Sequence, residues 1–512
     1  MLLAVLVVGG CASLPTDFSR EQTQAMSDTD TSRLGRAVAP GTAEHKPQSG
    51  FRPLGNGLDA LVARLVLAGL AERSLDVQYY LFHDDATGRL LAAHLLKAAD
   101  RGVRVRLLVD DMDMKGKDAG LAALAQHPMI EIHLFNPFPS RQMRLLNFLT
   151  HFGTVTRRMH NKSFTADNQV SIVGGRNIGD EYFAAAAGTN FGDMDVLAVG
   201  PIVRDVSEAF DLYWNSQQSI PVSALTERGD PQSLEAARIA LADHQAMMTD
   251  SPYTRRLRES TLARQLQERE LDWYWGAAEL LVDRPEKVVT DPQDRSTHLG
   301  PELRDLIASA QTELFLISPY FVPGKAGTAL LSELASRGVS VTVLTNSLAA
   351  TDVPAVHGGY ARYRQALLAA GVKIYEVQPS AQMDDGEGRR FGRSQASLHA
   401  KSVVIDHQQV LVGSMNLDPR SALLNTEMGI VIDSPLFAEA IMAWRDASIS
   451  ALAWRVEQTS VQGMYGGENE TLVWVETRDG QEHRLTDREP EAGIWARIQA
   501  VIARLLPIEQ QL

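Results

Sequence analysis

The stretch MHNKSFTADNQVSIVGGRN, residues 159–177, decides the fold because the chain contains a second version of it. The second version is LHAKSVVIDHQQVLVGSMN, residues 398–416. In both stretches two runs of apolar and polar residues lie on either side of an Asp, which predicts a β-hairpin with that Asp at its tight turn. The sequence therefore predicts the same two-stranded unit at two places in the chain.

The elements around the two hairpins are also repeated in order. Two strand patterns, SLDVQYYLF and VRVRLLVDD, precede the first hairpin, and TELFLISPYF and VSVTVLTNS precede the second. A helical pattern separates the strands of each pair, and a further strand and a helix follow each hairpin. Matching order and spacing indicate that a whole domain was duplicated. The alternation of helices and strands predicts the α/β fold class.

The length of the chain, 512 residues, favours two or more domains, because a single hydrophobic core rarely grows that large. The repeats predict a first domain over residues 51–220 and a second over residues 291–455. The charged, helix-patterned residues 221–290 between them are interpreted as a helical connector. Residues 12–50 are polar and have little periodicity, so they are predicted to form a flexible tether.

Residues 456–512 are predicted to form a C-terminal tail that ends in an amphipathic helix, GIWARIQAVIARLL. Its large apolar residues fall on one stripe at helical spacing. A stripe of this kind usually packs on a core, which is the interpretation we favour, and contact with a membrane surface is the alternative.

Cys11 is the single cysteine of the chain, so no intramolecular disulfide can form. It follows the apolar run MLLAVLVVGG, a pattern typical of a bacterial lipoprotein signal that is cleaved before a lipidated cysteine. An ordinary secretory signal or a short buried helix are the alternatives, and the run lacks the usual preceding Lys or Arg. We predict a lipoprotein-like signal over residues 1–11 and a lipid anchor in the cell envelope, with peripheral attachment to the inner membrane as the alternative.

The charge balance limits the partners. The chain has 49 Lys and Arg against 63 Asp and Glu, which gives a net charge of −14. A strongly acidic protein repels a polyanion at long range, so the composition disfavours nucleic acid as a partner.

Each hairpin carries a His and a Lys two residues apart, His160 with Lys162 and His399 with Lys401. Residues at this spacing on a strand project from the same face. A neutral imidazole can attack phosphorus, and a protonated one can donate a proton to an alkoxide leaving group. The two ammonium groups can hold the phosphoryl oxygens without a metal. Two histidines on opposite sides of one phosphorus therefore predict transfer chemistry on a phosphodiester, with no cofactor.

Further polar residues recur at matching positions after each His. Asn177 and Asn416 follow at the same offset, and the hairpin returns them towards the His and Lys, where they can bind phosphate. Asp193 and Glu427 begin the next strand in each half. Each is predicted to accept a hydrogen bond from the second ring nitrogen of the His in its own half, which would fix the tautomer.

Asp167 and Asp406 complete the two repeated motifs and belong to the candidate catalytic set. Because both lie at the predicted tight turn, a structural or supporting role is the interpretation we favour for them.

The paired motifs of His, Lys and Asp resemble those of the phospholipase D superfamily. Within it, several segments look like the bacterial cardiolipin synthases, closest to the C-type branch: YYLF, LVDD, NPF, GGRNIGDEYF, SPYFVPG and GSMNLDPRS. The resemblance implies two duplicated phospholipase D-like α/β/α sandwich domains, each a mixed sheet flanked by helices, that form one pseudo-twofold active site. It also implies a covalent phosphohistidine, with His160 as nucleophile and His399 as acid, or the reverse order. Ser414 matches a hydroxyl residue that the family offers to the phosphate, whereas Gly175 does not.

The resemblance implies transphosphatidylation that moves a phosphatidyl group from a phospholipid to a lipid hydroxyl and gives cardiolipin. The expected partners are a membrane surface and anionic or zwitterionic phospholipids, phosphatidylglycerol first and phosphatidylethanolamine as the alternative. With water as acceptor the product is phosphatidic acid, and the motifs do not separate these outcomes. A nuclease of the same superfamily and an inert lipid-binding module are further alternatives, the first disfavoured by the charge.

Overall fold

The structure is a computed structural model. It describes the whole chain apart from residues 1–13, 142–143, 145–146, 148–151, 187, 228–229, 269, 382–395, 463–467, 479, 487, 507–510 and 512.

The first half of the chain builds a mixed sheet in the order β1-β8-β6-β5-β2-β3-β4-β9. Strands β2, β3 and β4 are parallel to one another, and the remaining pairs are antiparallel. The strands are β1 (Ser49–Leu54), β2 (Ser74–Tyr79), β3 (Arg104–Asp110), β4 (Ile130–Phe135), β5 (Ser163–Ala166), β6 (Val170–Gly174), β7 (Asn190–Gly192), β8 (Asp195–Val199) and β9 (Ser219–Pro221).

The second half repeats this arrangement in the order β10-β17-β16-β15-β11-β12-β13-β18, with the matching three strands parallel. Its strands are β10 (Tyr274–Val282), β11 (Glu313–Ile317), β12 (Ser340–Asn346), β13 (Lys373–Val377), β14 (Ala396–Leu398), β15 (Ser402–Ile405), β16 (Gln409–Gly413), β17 (Met428–Asp433) and β18 (Ala453–Gln462), continued by β19 (Glu468–Arg478) and β20 (Gln481–Leu485). The equal strand order confirms the duplicated α/β architecture. The two sheets join where β1 pairs with the start of β10, with Phe51 opposite Tyr274.

Helices flank the sheets, and several begin at a side-chain cap; Asn56 and Asp85, for example, accept hydrogen bonds from first-turn backbone N–H groups. The helices of the first half are α1 (Arg33–Glu44), α2 (Gly57–Leu70), α3 (Ala86–Asp100), α4 (Asp118–Leu124), α5 (Phe152–Val155), α6 (Ile202–Trp214), α7 (Val222–Leu225), α8 (Pro231–Met248), α9 (Pro252–Arg258) and α10 (Thr261–Glu268). Those of the second half are α11 (Gly300–Ala308), α12 (Gly324–Ser336), α13 (Pro354–Tyr360), α14 (Arg364–Ala369), α15 (Pro419–Leu423), α16 (Pro435–Leu452) and α17 (Ile494–Leu505).

Each half has its own apolar core, and a third core joins them. The joint core contains residues of α6, such as Val206, together with Phe437 and Ile441 of α16 and apolar residues of both sheets. Burial of this shared apolar surface holds the two halves in one fixed arrangement, which a site built from both halves requires.

The tether prediction is wrong for the described part of residues 12–50. This segment contains α1 and the start of β1, and the residues before α1 lie against the first domain. The Arg20 guanidinium donates to the Ser216 carbonyl at 3.0 Å, and the Ala25 N–H donates to Asp211 at 2.8 Å. These long-range contacts fix a segment whose composition alone predicts freedom. The predicted connector over residues 221–290 is α-helical only as far as Glu268, and its last part contains β10 and a short 3-10 helix.

The C-terminal helix does not pack as we favoured. In α17 the buried residues are Ala500 and Ala503, whereas the large apolar residues, including Ile494, Trp495 and Leu505, are exposed. Among the described residues, no helix is both long and apolar enough to cross a bilayer.

Candidate active site

Each motif hairpin is held by backbone hydrogen bonds to the opposite half of the chain. The His160 N–H donates to the Thr426 carbonyl at 2.9 Å, and the Thr426 N–H donates to the Arg158 carbonyl at 2.9 Å. In the equivalent position β14 pairs in parallel with β7, and the His399 N–H donates to the Gly192 carbonyl at 2.7 Å. Each His is therefore fixed beside the residue that precedes the other half's carboxylate.

The carboxylates consequently exchange partners between the halves. His160 Nδ1 lies 2.8 Å from Glu427 Oε2, and His399 Nδ1 lies 2.6 Å from Asp193 Oδ2. The predicted pairing within one half is wrong, because strand docking brings each carboxylate to the distant His. A carboxylate on Nδ1 keeps the ring proton there and leaves the lone pair on Nε2 for chemistry.

The two lysines are buried beside the histidines. Lys162 Nζ donates to the His160 carbonyl at 2.6 Å, and Lys401 Nζ donates to the His399 carbonyl. Burial lowers the pKa of Lys401 to about 8. The pKa of Lys162 lies well below its ordinary value, mainly because the side chain is buried and also because the Lys401 charge is close. Both cations are thus kept close together in a site from which water is largely excluded, although Glu427 partly offsets these effects.

Burial also lowers the pKa of both imidazoles, that of His160 to about 4 and that of His399 to about 3. Each is lowered further by a lysine from the opposite half, Lys401 acting on His160 and Lys162 on His399. This reciprocal influence is the electrostatic sign that both motifs share one site. Both rings are therefore neutral near neutral pH, as a nucleophile requires.

The carboxylates stay charged. Burial acts to raise the pKa of Asp193, but His399 and Lys401 outweigh it and hold the pKa well below its usual range. Glu427 shows the same balance, with His160 and Lys162 lowering its pKa against burial. Both carboxylates therefore act to raise the pKa values of the two buried lysines and offset part of the lowering by burial.

The predicted phosphate-binding residues differ in how far they are engaged. The Ser414 hydroxyl donates to Glu427 Oε2 at 2.6 Å, so it holds the carboxylate and its single proton is not free for a phosphate. Asn177 accepts from the Leu81 N–H at 3.2 Å and donates to the Tyr182 hydroxyl at 2.9 Å, which leaves one amide proton. Within the described residues the buried Asn416 Oδ1 has no hydrogen-bond partner.

Gly175 takes the place of Ser414 in the first half for a steric reason. A Cβ atom at this position would lie 2.2 Å from Asp193 Oδ1. Asp193 therefore occupies the space where a side chain would stand, and the departure from the family pattern accommodates this carboxylate.

Asp167 and Asp406 do not reach the site. Both lie at the hairpin turns with a positive φ of 52° and accept backbone N–H bonds from the chain that enters the sheet. Asp167 accepts from residues 72–74, and Asp406 accepts from residues 311–313. The geometry does not support a catalytic role for Asp167 and Asp406. It agrees with the structural role at the hairpin turns that we favoured for them.

We therefore expect Asp167→Ala to weaken folding rather than chemistry. The change removes the buried acceptor of three backbone N–H groups, which should lower the free energy of unfolding by about 2–4 kcal/mol. Urea unfolding measures this loss, and kcat at 20 °C should stay within about threefold. Asp167→Asn keeps an acceptor oxygen and tolerates positive φ, so it should lose less. A large fall in kcat in the stably folded Asn variant would contradict this role.

Sequence reasoning missed the residues that hold the carboxylates. Asp283 Oδ2 accepts from the Glu427 backbone N–H at 2.8 Å and pairs with the fully buried Lys287 at 2.8 Å. The Ser421 hydroxyl donates to Glu427 Oε1 at 2.8 Å. On the other side, the Arg176 guanidinium donates to the Asp193 carbonyl. An Asp and a Lys four residues apart are too common in sequences to have singled out this pair.

Aromatic rings complete the walls of the site. Tyr80 lies edge-on to His160 with ring centroids 5.1 Å apart. Tyr182 and Phe191 each lie 5.2 Å from the His399 ring. These contacts restrict both imidazoles to one orientation and contribute to the desolvation that lowers their pKa values.

Comparison with known proteins agrees with this geometry. The family profile described as "Cardiolipin synthase, PLD-like domain" matches residues 67–214 and 303–448, one stretch in each half. The chain is also 42% identical over 479 residues to cardiolipin synthase C of Escherichia coli, covering 93% of this chain and 99% of that protein. The chain belongs to the cardiolipin synthase family of phospholipase D-like proteins.

Other family members and one solved structure are more distant. A cardiolipin synthase of Staphylococcus aureus is 27% identical over 407 residues, which cover 79% of this chain and 66% of that protein. The crystal structure of phosphatidylserine synthase from Haemophilus influenzae covers 81% of this chain and 90% of its own, with 12% identity and a TM-score of 0.53. That likeness concerns the fold.

For this cardiolipin synthase family member, the lowered pKa values of the two lysines predict that kcat falls at alkaline pH. We expect Lys401 to hold phosphate only when it is protonated, so kcat should fall as pH rises through the pKa of Lys401, which is about 8 in the protein without substrate. Burial also lowers the pKa of Lys162 well below its ordinary value, so Lys162 loses its proton at lower pH than an exposed lysine does.

A profile of kcat between about pH 6 and 10 measures this alkaline limb. Lys162→Arg and Lys401→Arg keep a cation that does not deprotonate in this range. Whichever lysine sets the alkaline limb, its Arg variant should move that limb to higher pH even where kcat falls. An unshifted alkaline limb in both variants would contradict the assignment.

Proposed function

We propose that the protein makes cardiolipin by transphosphatidylation, passing a phosphatidyl group through a covalent intermediate on His160. The family membership supports a phosphatidyltransferase of the cardiolipin synthase type. The observation that carries the proposal is the exchange of carboxylates between halves, which prepares two imidazoles in the same way within one site. Two equivalent imidazoles are what a two-step displacement at one phosphorus needs.

In the first step His160 Nε2 attacks the phosphorus of the donor phospholipid, and the P–O bond to the leaving alcohol breaks. His399 gives its proton to the departing oxygen. Because a bound phosphodiester anion raises the pKa of nearby imidazoles, His399 can carry this proton in the complex although burial lowers its pKa in the free enzyme. Lys162 and Lys401 hold the non-bridging oxygens.

In the second step the hydroxyl of an acceptor lipid gives its proton to His399 as its oxygen attacks the phosphorus. The P–N bond to His160 breaks and cardiolipin leaves. Glu427 and Asp193 hold the two rings throughout, Glu427 on His160 and Asp193 on His399. The proton returns to the ring that gave it, so the enzyme ends in its starting state.

Phosphatidylglycerol is the proposed donor, with phosphatidylethanolamine as a further donor, and the protein is proposed to work at a membrane. The sequence before Cys11 supports lipid anchoring in the cell envelope, and peripheral attachment to the inner membrane is the alternative. Residues 1–13 lie outside the described part of the chain. The net charge of −14 argues against a nuclease.

Incubation of the purified protein with phosphatidylglycerol vesicles, with and without EDTA, tests the proposal. Mass spectrometry should find cardiolipin and glycerol in equal amounts, and EDTA should not change the rate. Phosphatidic acid as the main product would make water the acceptor and the protein a phospholipase D. Cleavage of plasmid DNA would favour a nuclease, and no turnover of any substrate would leave a lipid-binding module.

A further inference from the structure

The C-terminal helix α17 presents its large apolar side chains to solvent. These side chains form one stripe, which we call the apolar face, and they are between 40% and 79% exposed. The apolar face consists of Ile494, Trp495, Ile498, Val501, Ile502, Leu505 and Leu506. Isolated exposed apolar residues are ordinary, but seven on one side of one helix mark a surface that binds something.

The opposite side of α17 explains why the apolar face points outward. Ala500 and Ala503 are buried against α13. A Cβ atom at Gly358 of α13 would lie 2.3 Å from the Ala500 carbonyl oxygen, so the two helices approach more closely than any other residue there would allow. The helix therefore packs through its smallest residues, and its large apolar side chains lie on the protein surface instead of in the core.

Polar contacts lock this orientation. The Arg362 guanidinium donates to the carbonyls at the C-terminal end of α17, including Leu506 at 3.0 Å. Just before the helix, Glu489 pairs with the buried Arg364 at 2.6 Å and lies 3.4 Å from the buried His357. Rotation of α17 to bury its apolar face would break these contacts, so the exposure belongs to the fold.

The chemistry around the apolar face fits the surface of a bilayer. Arg504 lies along one edge of the stripe, on the side towards Val501. Arg497 lies on the same edge, and its guanidinium also donates to the Ala492 and Glu489 carbonyls at 3.1 and 3.0 Å. Long cationic side chains at the edge of an apolar stripe reach lipid phosphates while their stems stay in the apolar layer. Trp495 suits the same boundary, because its ring is apolar and its indole N–H is polar.

The helix on which α17 packs lies close in sequence to a residue near the active site. Its partner helix α13 starts shortly after Asp352, whose carboxylate accepts from the Tyr320 hydroxyl at 2.8 Å. The Asp352 charge also acts on Lys401 and Tyr182 of the active site. The helix that seats α17 thus closely follows a residue whose charge acts on the active site.

We propose that α17 is an interfacial docking helix that lays the enzyme on an anionic bilayer, with the apolar face at the boundary of headgroups and acyl chains. This inference rests on the proposed function, because it assigns the surface through which the lipid substrate is reached. Docking by α17 is independent of any lipid on Cys11.

The test uses the full chain with Cys11→Ser, so that no lipid can be attached. Ile498→Ser, Val501→Ser and Leu505→Ser together remove the middle of the apolar face. Ile239→Ser with Met247→Ser is the matched control, because these exposed apolar residues lie on α8, outside the apolar face. Sedimentation with vesicles of phosphatidylglycerol and phosphatidylethanolamine measures binding, and rates on vesicles and on monomeric short-chain phosphatidylglycerol measure turnover.

We expect the triple variant to lose at least about tenfold in vesicle binding. The ratio of its rate on vesicles to its rate on monomeric lipid should fall by a similar factor, whereas the control keeps both. Light scattering without lipid checks for self-association. The proposal is overturned if the triple variant binds vesicles as well as the control does. It is also overturned if the unsubstituted Cys11→Ser chain forms a dimer and the triple variant is a monomer that still binds vesicles.

A second measurement stays valid if the triple variant fails to fold. Brominated lipid should quench part of the tryptophan fluorescence of the Cys11→Ser chain, and Trp495→Phe, which keeps the apolar face, should remove that part. Unchanged quenching in Trp495→Phe overturns the proposal. Failure of the proposed function would give a different result from failure of the docking proposal. The Cys11→Ser chain would then transfer no phosphatidyl group from vesicles or from monomeric lipid, whereas its binding to vesicles could still be measured.

Discussion

Replacement of His160 or His399 by alanine is expected to lower kcat for phosphatidyl transfer by at least about 10³-fold. Without His160 no ring nitrogen is available to form the P–N bond. Without His399 the alkoxide leaves without a proton, and the acceptor hydroxyl has no base. Both side chains are buried and fixed by carboxylates at 2.8 and 2.6 Å, so no neighbouring group can take their place.

A donor with a nitrophenyl leaving group separates the two roles. Nitrophenolate leaves without protonation, so His399→Ala should still release nitrophenol in a burst of about one equivalent and then stall as the phosphoenzyme. His160→Ala should release none. The opposite pattern would reverse the assignment of nucleophile and acid. If either variant keeps most of its turnover of natural lipid, the mechanism is wrong.

Replacement of either exchanged carboxylate by its amide is expected to cause the next largest loss of kcat. Glu427→Gln and Asp193→Asn should each lower kcat for natural lipid by about 10²-fold or more, because an amide can hold the wrong tautomer and does not stabilise the imidazolium. Circular dichroism and thermal unfolding confirm that each variant is folded. Ser421→Ala, which removes only one hydrogen bond to Glu427, should lose far less.

The nitrophenyl donor also tests the exchange itself. Glu427 serves His160, so Glu427→Gln should slow the burst. Asp193 serves His399, which this donor does not need as an acid, so Asp193→Asn should keep a burst close to that of the unaltered protein. Pairing within one half would give the reverse result. Equal slowing in both variants would show that the carboxylates act on the site as a whole.

Local pattern predicted the repeated hairpins well because their information lies within a few residues. The alternation, the Asp at each turn and the His and Lys on one face all follow from strand geometry. The positions of Asp193 and Glu427 at the start of the next strands also identified them as partners of imidazoles. Which imidazole each one contacts depends on how the two halves dock, through β7 with β14 and through Met159 with Thr426, and no spacing within one half records that.

Other parts of the fold depend on the same kind of distant contact. Arg20 and Ala25 fix the predicted tether through residues near the end of α6, so its polar composition was misleading. The spacing of the apolar residues predicted a stripe on α17, but it could not predict whether this stripe faces the core or the solvent. That direction is set by Ala500 against Gly358, where close approach outweighs the burial of larger side chains.

Because the carboxylates are exchanged, neither repeat can form a complete site by itself. A single repeat has a histidine that lacks its carboxylate partner and a carboxylate that lacks its histidine. An ancestor with one repeat could have worked only as a symmetric pair of identical chains. Fusion into one polypeptide removed the need for symmetry, which left one repeat free to place a glycine beside an aspartate and the other a serine beside a glutamate.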